Sequence, residues 1–216
     1  MTGLRSRLGT ALAAGLVLLL AGCGGGGGGQ AAPPDGEIDD DGLHGSALTT
    51  PYVVPKAPLV STQGGKDGSA YSLTEADNDL TLVFFGYTHC PDICGIVMST
   101  IASALNRLDD ADRERVDMVF VTTDPARDDV AVLRDYLAGF DPEFTGVTGE
   151  LDTIVKTARS LAVLIEDGRK LPGGGYEVAH SDPVIGLDDQ DRATTVWSSD
   201  VSAAELAEDI ERLLAG

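Results

Sequence analysis

The sequence predicts an α/β domain: a central mixed sheet flanked by helices, with extra hairpins at its ends. Three observations predict it. Two largely apolar runs, the near-continuous one at residues 81–86 and the next at 116–122, have the character of buried core strands. A helical apolar stripe follows each run, and a right-handed crossover through such a helix leaves consecutive strands parallel. The stretches before the first run and after residue 175 are short β-rich pieces punctuated by Gly, Pro and Asp, which is hairpin chemistry.

Taken in order, residues 1–22 read as an export signal. Arg5 and Arg7 give a positive start, and residues 8–21 are nearly all apolar but short for a membrane span. Leu20-Ala21-Gly22-Cys23 resembles the bacterial lipobox, which implies lipidation of Cys23 and a chain anchored at the extracytoplasmic face of the cell membrane. Residues 23–47 predict a flexible tether, because a glycine run from Gly24 to Gly29, two prolines and Asp39-Asp40-Asp41 bury too little apolar surface to order themselves. His44 reads there as an exposed linker histidine. The folded domain is expected at 48–216.

Within it, residues 52–54 and 59–61 read as short strands, 64–68 as a turn, 69–73 as a returning arm, and 74–77 as a short acidic turn or helix start. After the first core strand, Ile96, Val97, Ile101, Ala104, Leu105 and Leu108 form one helical stripe. Asp124-Pro125 stops the second core strand. Asp128 is expected to cap a helix with Val132, Leu133, Tyr136 and Leu137 on its inner face. Residues 144–147 read as extended, 149–164 as a helix, and 168–175 as a loop made free by Gly173-Gly174-Gly175. Candidate strands at 176–179, 183–187 and 194–197 follow, and a helix at 203–214 closes the chain.

The formal charge is −20, and removal of residues 1–22 takes away two arginines and no acid. Such a surface lacks the basic footprint that nucleic acid requires, and it favours a protein partner with a basic or neutral face. The chain has three cysteines. With Cys23 lipidated, Cys90 and Cys94 remain, and an even pair in an exported protein is a disulfide, a metal pair, or each at different times.

Cys90-Pro91-Asp92-Ile93-Cys94 sits at the turn from core strand to helix. A spacing of four brings both sulfurs to one side once the chain becomes helical near Asp92, which is expected to cap that helix. The helix N-terminus favours a thiolate. Two thiolates form a soft site suited to Cu(I), whereas zinc would ask for four ligands and no second cysteine pair exists. A third ligand must come from elsewhere. His89 adjoins Cys90 but is expected to face away from it. His180, far along the chain, is open between ligand and surface histidine on spacing alone.

The stretch Gly86-Tyr87-Thr88-His89-Cys90-Pro91-Asp92-Ile93-Cys94 resembles the signature of the Sco/SenC family of copper-binding proteins. Asp124-Pro125-Ala126-Arg127-Asp128 is similar to that family's Asp-Pro-x-Arg-Asp segment, residues 144–149 fit a further stretch, and His180-Ser181 with Leu187-Asp188 follows in the family's order. Gly95 stands where the family usually has proline. The resemblance implies a thioredoxin-like fold and a copper ion held by Cys90, Cys94 and His180, with Asp124 nearby as an outer carboxylate. It also implies help in assembling the binuclear copper centre of cytochrome c oxidase, with the copper-bearing subunit of that oxidase as partner. The alternative is a thiol–disulfide oxidoreductase, in which a Cys90–Cys94 disulfide is recycled by a thiol reductant protein and target cysteines are kept reduced.

Overall fold

The structure is a computed structural model that describes residues 38–39, 42–75, 78–170 and 176–216. The segment read as an export signal, Cys23 and the Gly173–Gly175 run lie outside the described residues. The chain begins with β1 (Ile38–Asp39), β2 (Ser46–Val53), β3 (Leu59–Ser61) and β4 (Ser69–Tyr71), then a short 3-10 turn (Leu73–Glu75). The core follows as β5 (Leu80–Gly86), α1 (Ile93–Leu105), α2 (Asp110–Arg113), β6 (Val116–Thr122), α3 (Val130–Leu137), β7 (Thr145–Thr148) and α4 (Leu151–Ser160). It closes with β8 (Ile165–Lys170), β9 (Tyr176–His180), β10 (Val184–Asp188), β11 (Arg192–Trp197) and α5 (Ala203–Ala215).

Nine strands join in the order β1-β2-β11-β10-β5-β6-β7-β3-β4, and β8 pairs with β9 in a separate hairpin. β5, β6 and β7 are parallel, and β10, β11 and β2 run antiparallel beside them, so the sheet is mixed as the sequence predicts. Every residue of β5 is buried. Its side chains alternate as a strand requires. Leu80, Leu82 and Phe84 pack with α1 and α5 through Val97, Met98, Ile101, Leu206 and Ile210. Val83 and Phe85 pack on the other face with Ile154 and Ala158 of α4. A strand buried on both faces cannot slip by one residue without exchanging two filled cores, which fixes where β5 ends.

The helices depart from their sequence limits in instructive ways. α1 starts at Ile93, so Cys94 lies within it, and it ends at Leu105. Ile96, expected on the inner stripe, is 58% exposed, because α1 turns Cys94, Val97, Met98 and Ile101 inward instead. Asp92 occupies the N-cap position, but its side chain makes no capping bond. Asp129 rather than Asp128 caps α3, accepting from the N–H groups of Ala131 and Val132. α4 stops at Ser160, where Ala162 takes a positive φ of 57° and the chain enters β8. Residues 168–170, read as free loop, continue β8 opposite β9.

The stretch just before β2 is bound to the domain. The buried carboxylate of Asp209 accepts from Trp197 Nε1 at 2.8 Å, Gly45 N at 2.8 Å and His44 N at 3.0 Å. A Cβ at Gly45 would stand 2.5 Å from the Trp197 indole, so only glycine lets the backbone lie on that ring. The His44 ring lies 3.2 Å from Glu208 Oε2 on α5 rather than in solvent alone. Arg212 donates to the Gly42 carbonyl. Asp209→Ala strands the buried Trp197 N–H and two partly buried backbone donors and is expected to cost about 3 kcal/mol. Thermal melting checks it, and fluorescence of the single tryptophan should report the loss; a variant melting with the parent refutes this account.

Candidate metal centre

The site forms where β5 gives out. After Gly86 the chain makes a turn in which Cys90 N donates to the Tyr87 carbonyl at 3.2 Å. A Cβ at Gly86 would meet Phe120 at 2.9 Å and the Cys94 sulfur at 3.2 Å, so glycine is what lets the first turn of α1 close over the strand end.

That turn is held from the neighbouring strand. β6 ends level with β5, Gly86 opposite Thr122. Thr123 donates to the Gly86 carbonyl through N at 2.7 Å and Oγ1 at 3.2 Å. Asp128, fully buried, accepts from Thr88 N at 2.9 Å, Thr88 Oγ1 at 2.6 Å and Thr122 Oγ1 at 2.7 Å. The residue read as a helix cap is therefore the clamp on the cysteine loop. Its isolation from α3, which Asp129 caps, is what frees it for that task.

Cys94 is fully buried and Cys90 half-buried, both as free thiols. Burial pushes the Cys94 thiol far up, and a hydrogen bond with Cys90 adds to this. The thiolate expected from the helix N-terminus is thus overridden by desolvation. Burial also pushes the Tyr136 phenol up, with the two sulfurs adding to it. Its ring packs between Phe120 at 5.6 Å and Phe140 at 5.2 Å.

His180 ends β9, opposite Ile165 of β8. Its position is pinned by two bonds between Ser181 and Leu164, each 3.0 Å long. His180 Nδ1 lies 2.9 Å from the Ser181 carbonyl. A carbonyl can only accept, so Nδ1 carries the proton and Nε2 presents a lone pair. That Nε2 is 3.8 Å from Cys94 Sγ. The Tyr87 and Phe84 rings meet the imidazole edge-on at 6.1 and 6.4 Å and fix its plane.

Asp124 is placed one step further out. It is buried, takes Arg127 as its ion-pair partner and donates its N–H to Thr122 Oγ1. The Arg127 guanidinium lies over the Tyr87 ring at 5.8 Å. Asp124 therefore reaches the His180 side of the site through Arg127 and Tyr87. His89 is turned outward, with its side chain 57% exposed. Gly95 has open space where a Cβ would point, so no neighbouring side chain requires glycine at that position.

The donor set can be tested against an ion. Sulfur and nitrogen bonded to one metal at about 2.3 and 2.0 Å, at trigonal or tetrahedral angles, stand about 3.5–3.7 Å apart. The observed 3.8 Å between Cys94 and His180 matches this. Among the described residues no group of three His, Cys, Asp or Glu is already closed around one point. The Cys90 thiol is already hydrogen-bonded to Cys94. A cavity of about 490 Å³ beside Arg113, Asp117 and Glu143 opens near the start of β6, at the opposite end of that strand from the cysteines.

The SCO1/SenC family model matches residues 62–215. The chain is 33% identical over 135 residues to "Protein SCO2 homolog, mitochondrial" of Mus musculus, a match covering 62% of this chain and 53% of that protein. It spans about half or less of the length of the first curated relatives it matches. The copper-bound structure of Bradyrhizobium japonicum ScoI superposes with a TM-score of 0.66 at 28% identity, covering 74% of this chain and 99% of that one. BsSco, described as a member of the Sco family of cytochrome c oxidase assembly proteins in which a disulfide switch was identified, shares the fold at a TM-score of 0.61 and 17% identity, over 76% of this chain and 95% of that one. The mixed sheet flanked by helices is the thioredoxin-like architecture of these structures. With the family model covering the whole sheet from β4 onward, the cysteine turn and the histidine strand, this chain belongs to the SCO1/SenC family.

Proposed function

We propose that this protein binds one copper ion through Cys90, Cys94 and His180 and serves the assembly of the binuclear copper centre of cytochrome c oxidase, with the copper-bearing subunit as recipient. The observation that carries this is the His180 Nε2 lone pair set 3.8 Å from Cys94 Sγ by the Nδ1–H bond to Ser181. The copper held by the similar ScoI and the family's role support it. Copper supplies a soft, thiophilic cargo ion, and two sulfurs with one imidazole are its natural donors. The chain's part is to hold the imidazole in the ligating tautomer and to keep Cys94 dry. Lipidation at Cys23 places the site at the extracytoplasmic face of the cell membrane in this reading. Cys23→Ala should move the protein from the membrane to the soluble fraction; retention in the membrane removes the anchor.

A second reading has its own observation. Cys90 is half-exposed and Cys94 lies buried behind it, hydrogen-bonded to it. That is the arrangement of an outer attacking thiol and an inner resolving one. Cys90 as thiolate attacks a target disulfide, Cys94 displaces the target from the mixed disulfide, and a thiol reductant protein restores the pair. Copper binding and thiol exchange need the same reduced cysteines, so they share the site rather than divide the molecule.

His180→Ala separates the two. Copper affinity of the reduced protein should fall by about 100-fold or more, while thiol–disulfide exchange with a model disulfide proceeds as in the parent. Equal copper affinity in parent and variant would sink the three-ligand site. Metal binding must also expel the Cys94 proton, which burial holds through the neutral range. Copper affinity should therefore rise with pH between 6 and 8, by about tenfold per unit for each thiol proton displaced. A pH-independent affinity would show that Cys94 remains a thiol in the complex.

A further inference from the structure

Resting on that copper reading, we infer that His89 is a second copper-directed imidazole: an entry ligand at the mouth of the site that takes the incoming ion and passes it to Cys90. Three observations carry the inference. First, the tautomer is fixed. Thr88 Oγ1 donates to Asp128 Oδ1 at 2.6 Å, so toward His89 Nδ1, 2.9 Å away, that hydroxyl can only accept. Nδ1 therefore carries the proton and Nε2 carries the lone pair. Second, the support is rigid. Asp128 is fully buried and also binds Thr88 N and Thr122, while its Oδ1 lies 3.8 Å from His89 Nδ1. The carboxylate thus orients the ring through the Thr88 hydroxyl, as an outer partner on the non-ligating nitrogen orients a metal-binding imidazole. Third, the ring is exposed and sits one residue before the half-exposed Cys90. Consecutive Cα atoms are about 3.8 Å apart, so an ion taken up by His89 arrives beside the residue that carries the first sulfur.

The two imidazoles are prepared alike and placed differently. His180 turns its Nε2 inward to buried Cys94, and His89 presents its own toward solvent. The step is a ligand exchange at constant oxidation state. The Nε2–Cu(I) bond breaks as the Cys90 sulfur–copper bond forms, and the Cys90 proton leaves to solvent. The exposed ring raises the rate of arrival without adding to the affinity of the closed site.

The test loads the reduced full domain with Cu(I) from its coloured bicinchoninate complex and follows loss of colour by stopped flow, with equilibrium affinity measured separately. His89→Gln, which removes the donor, should slow uptake about tenfold and leave affinity within about twofold. His89→Met, which restores a soft donor, should recover the rate; a merely structural histidine would not be rescued by a thioether. Thr88→Val, which frees Nδ1 and unlocks the tautomer, should slow uptake as well and serves if His89→Gln fails to fold. Uptake by His89→Gln at the parental rate overturns the entry role. An affinity loss in His89→Gln as large as in His180→Ala also overturns it, making His89 a resident ligand. If His180→Ala itself keeps parental affinity, the copper site fails first, and that outcome is read independently of any rate.

Discussion

The buried carboxylate of Asp128 is the constraint on which the site depends. An ionised group with no exposure costs several kcal/mol unless donors surround it. Here two hydroxyls and a backbone N–H supply that compensation, and all three belong to the ends of β5 and β6 or the turn between β5 and α1. The charge therefore cannot be satisfied unless the cysteine turn is folded against β6. The same bonds that lower the cost of the charge fix the path of Thr88, and through it the position of His89 and Cys90. Charge-assisted bonds of 2.6–2.9 Å are strong enough to hold a loop that the sheet ladder no longer supports.

The far side of the site is built on another principle. His180 comes from a hairpin outside the main sheet, and its reach to Cys94 is set mainly by main-chain groups, with the Ser181 hydroxyl as the one side-chain contribution. Ser181 and Leu164 exchange hydrogen bonds, and the Ser181 carbonyl sets the imidazole tautomer. Such a bond survives any substitution of the Ser181 side chain, since the acceptor is main chain. One ligand wall is thus clamped by a buried charge, and the other is a strand end with fewer ties to the core. In the proposed copper site, which would both hold and release an ion, that asymmetry would leave only one wall to move.

The fold was largely legible because its signals are local and physical. Two buried core strands show as largely apolar runs, and the Ser202–Glu205 capping box marks the start of α5 in plain residue types. The misplacements were at boundaries, at residues with two available jobs, and at the short elements β1, α2 and β8, which were not expected from the sequence. Asp128 and Asp129 both suit an N-cap, and only the tertiary position of Thr88 decides which one is free. Ile96 looks like core by hydropathy, yet the early start of α1 at Ile93 rotates it outward. β8 carries Gly168, Arg169 and Lys170, poor strand residues that pair because β9 lies opposite. At the site, the cysteines announced themselves by spacing, whereas the Ser181 carbonyl and the Gly86 contact are backbone features with no residue signature. His44 and Gly45 read as linker because their partner, Asp209, lies at the far end of the chain.

Burial of Cys94 opposes its own ionisation, and that opposition gives the site its selectivity between states. An apolar surround penalises an isolated thiolate, so the empty site keeps a proton on sulfur and remains a poor nucleophile at neutral pH. Two events remove the penalty. A disulfide with Cys90 abolishes the charge, and a bound cation supplies the opposite one beside it. Both consume the same thiol, and both draw on Cys90 as the exposed partner, so oxidation and metal loading are mutually exclusive occupants of one buried position. The imidazole distinguishes between them: a lone pair held 3.8 Å from sulfur stabilises an ion between the two atoms, but offers nothing to a neutral disulfide. The dry pocket disfavours the bare thiolate, and in the proposed copper site the oriented histidine would tilt the remaining choice toward metal.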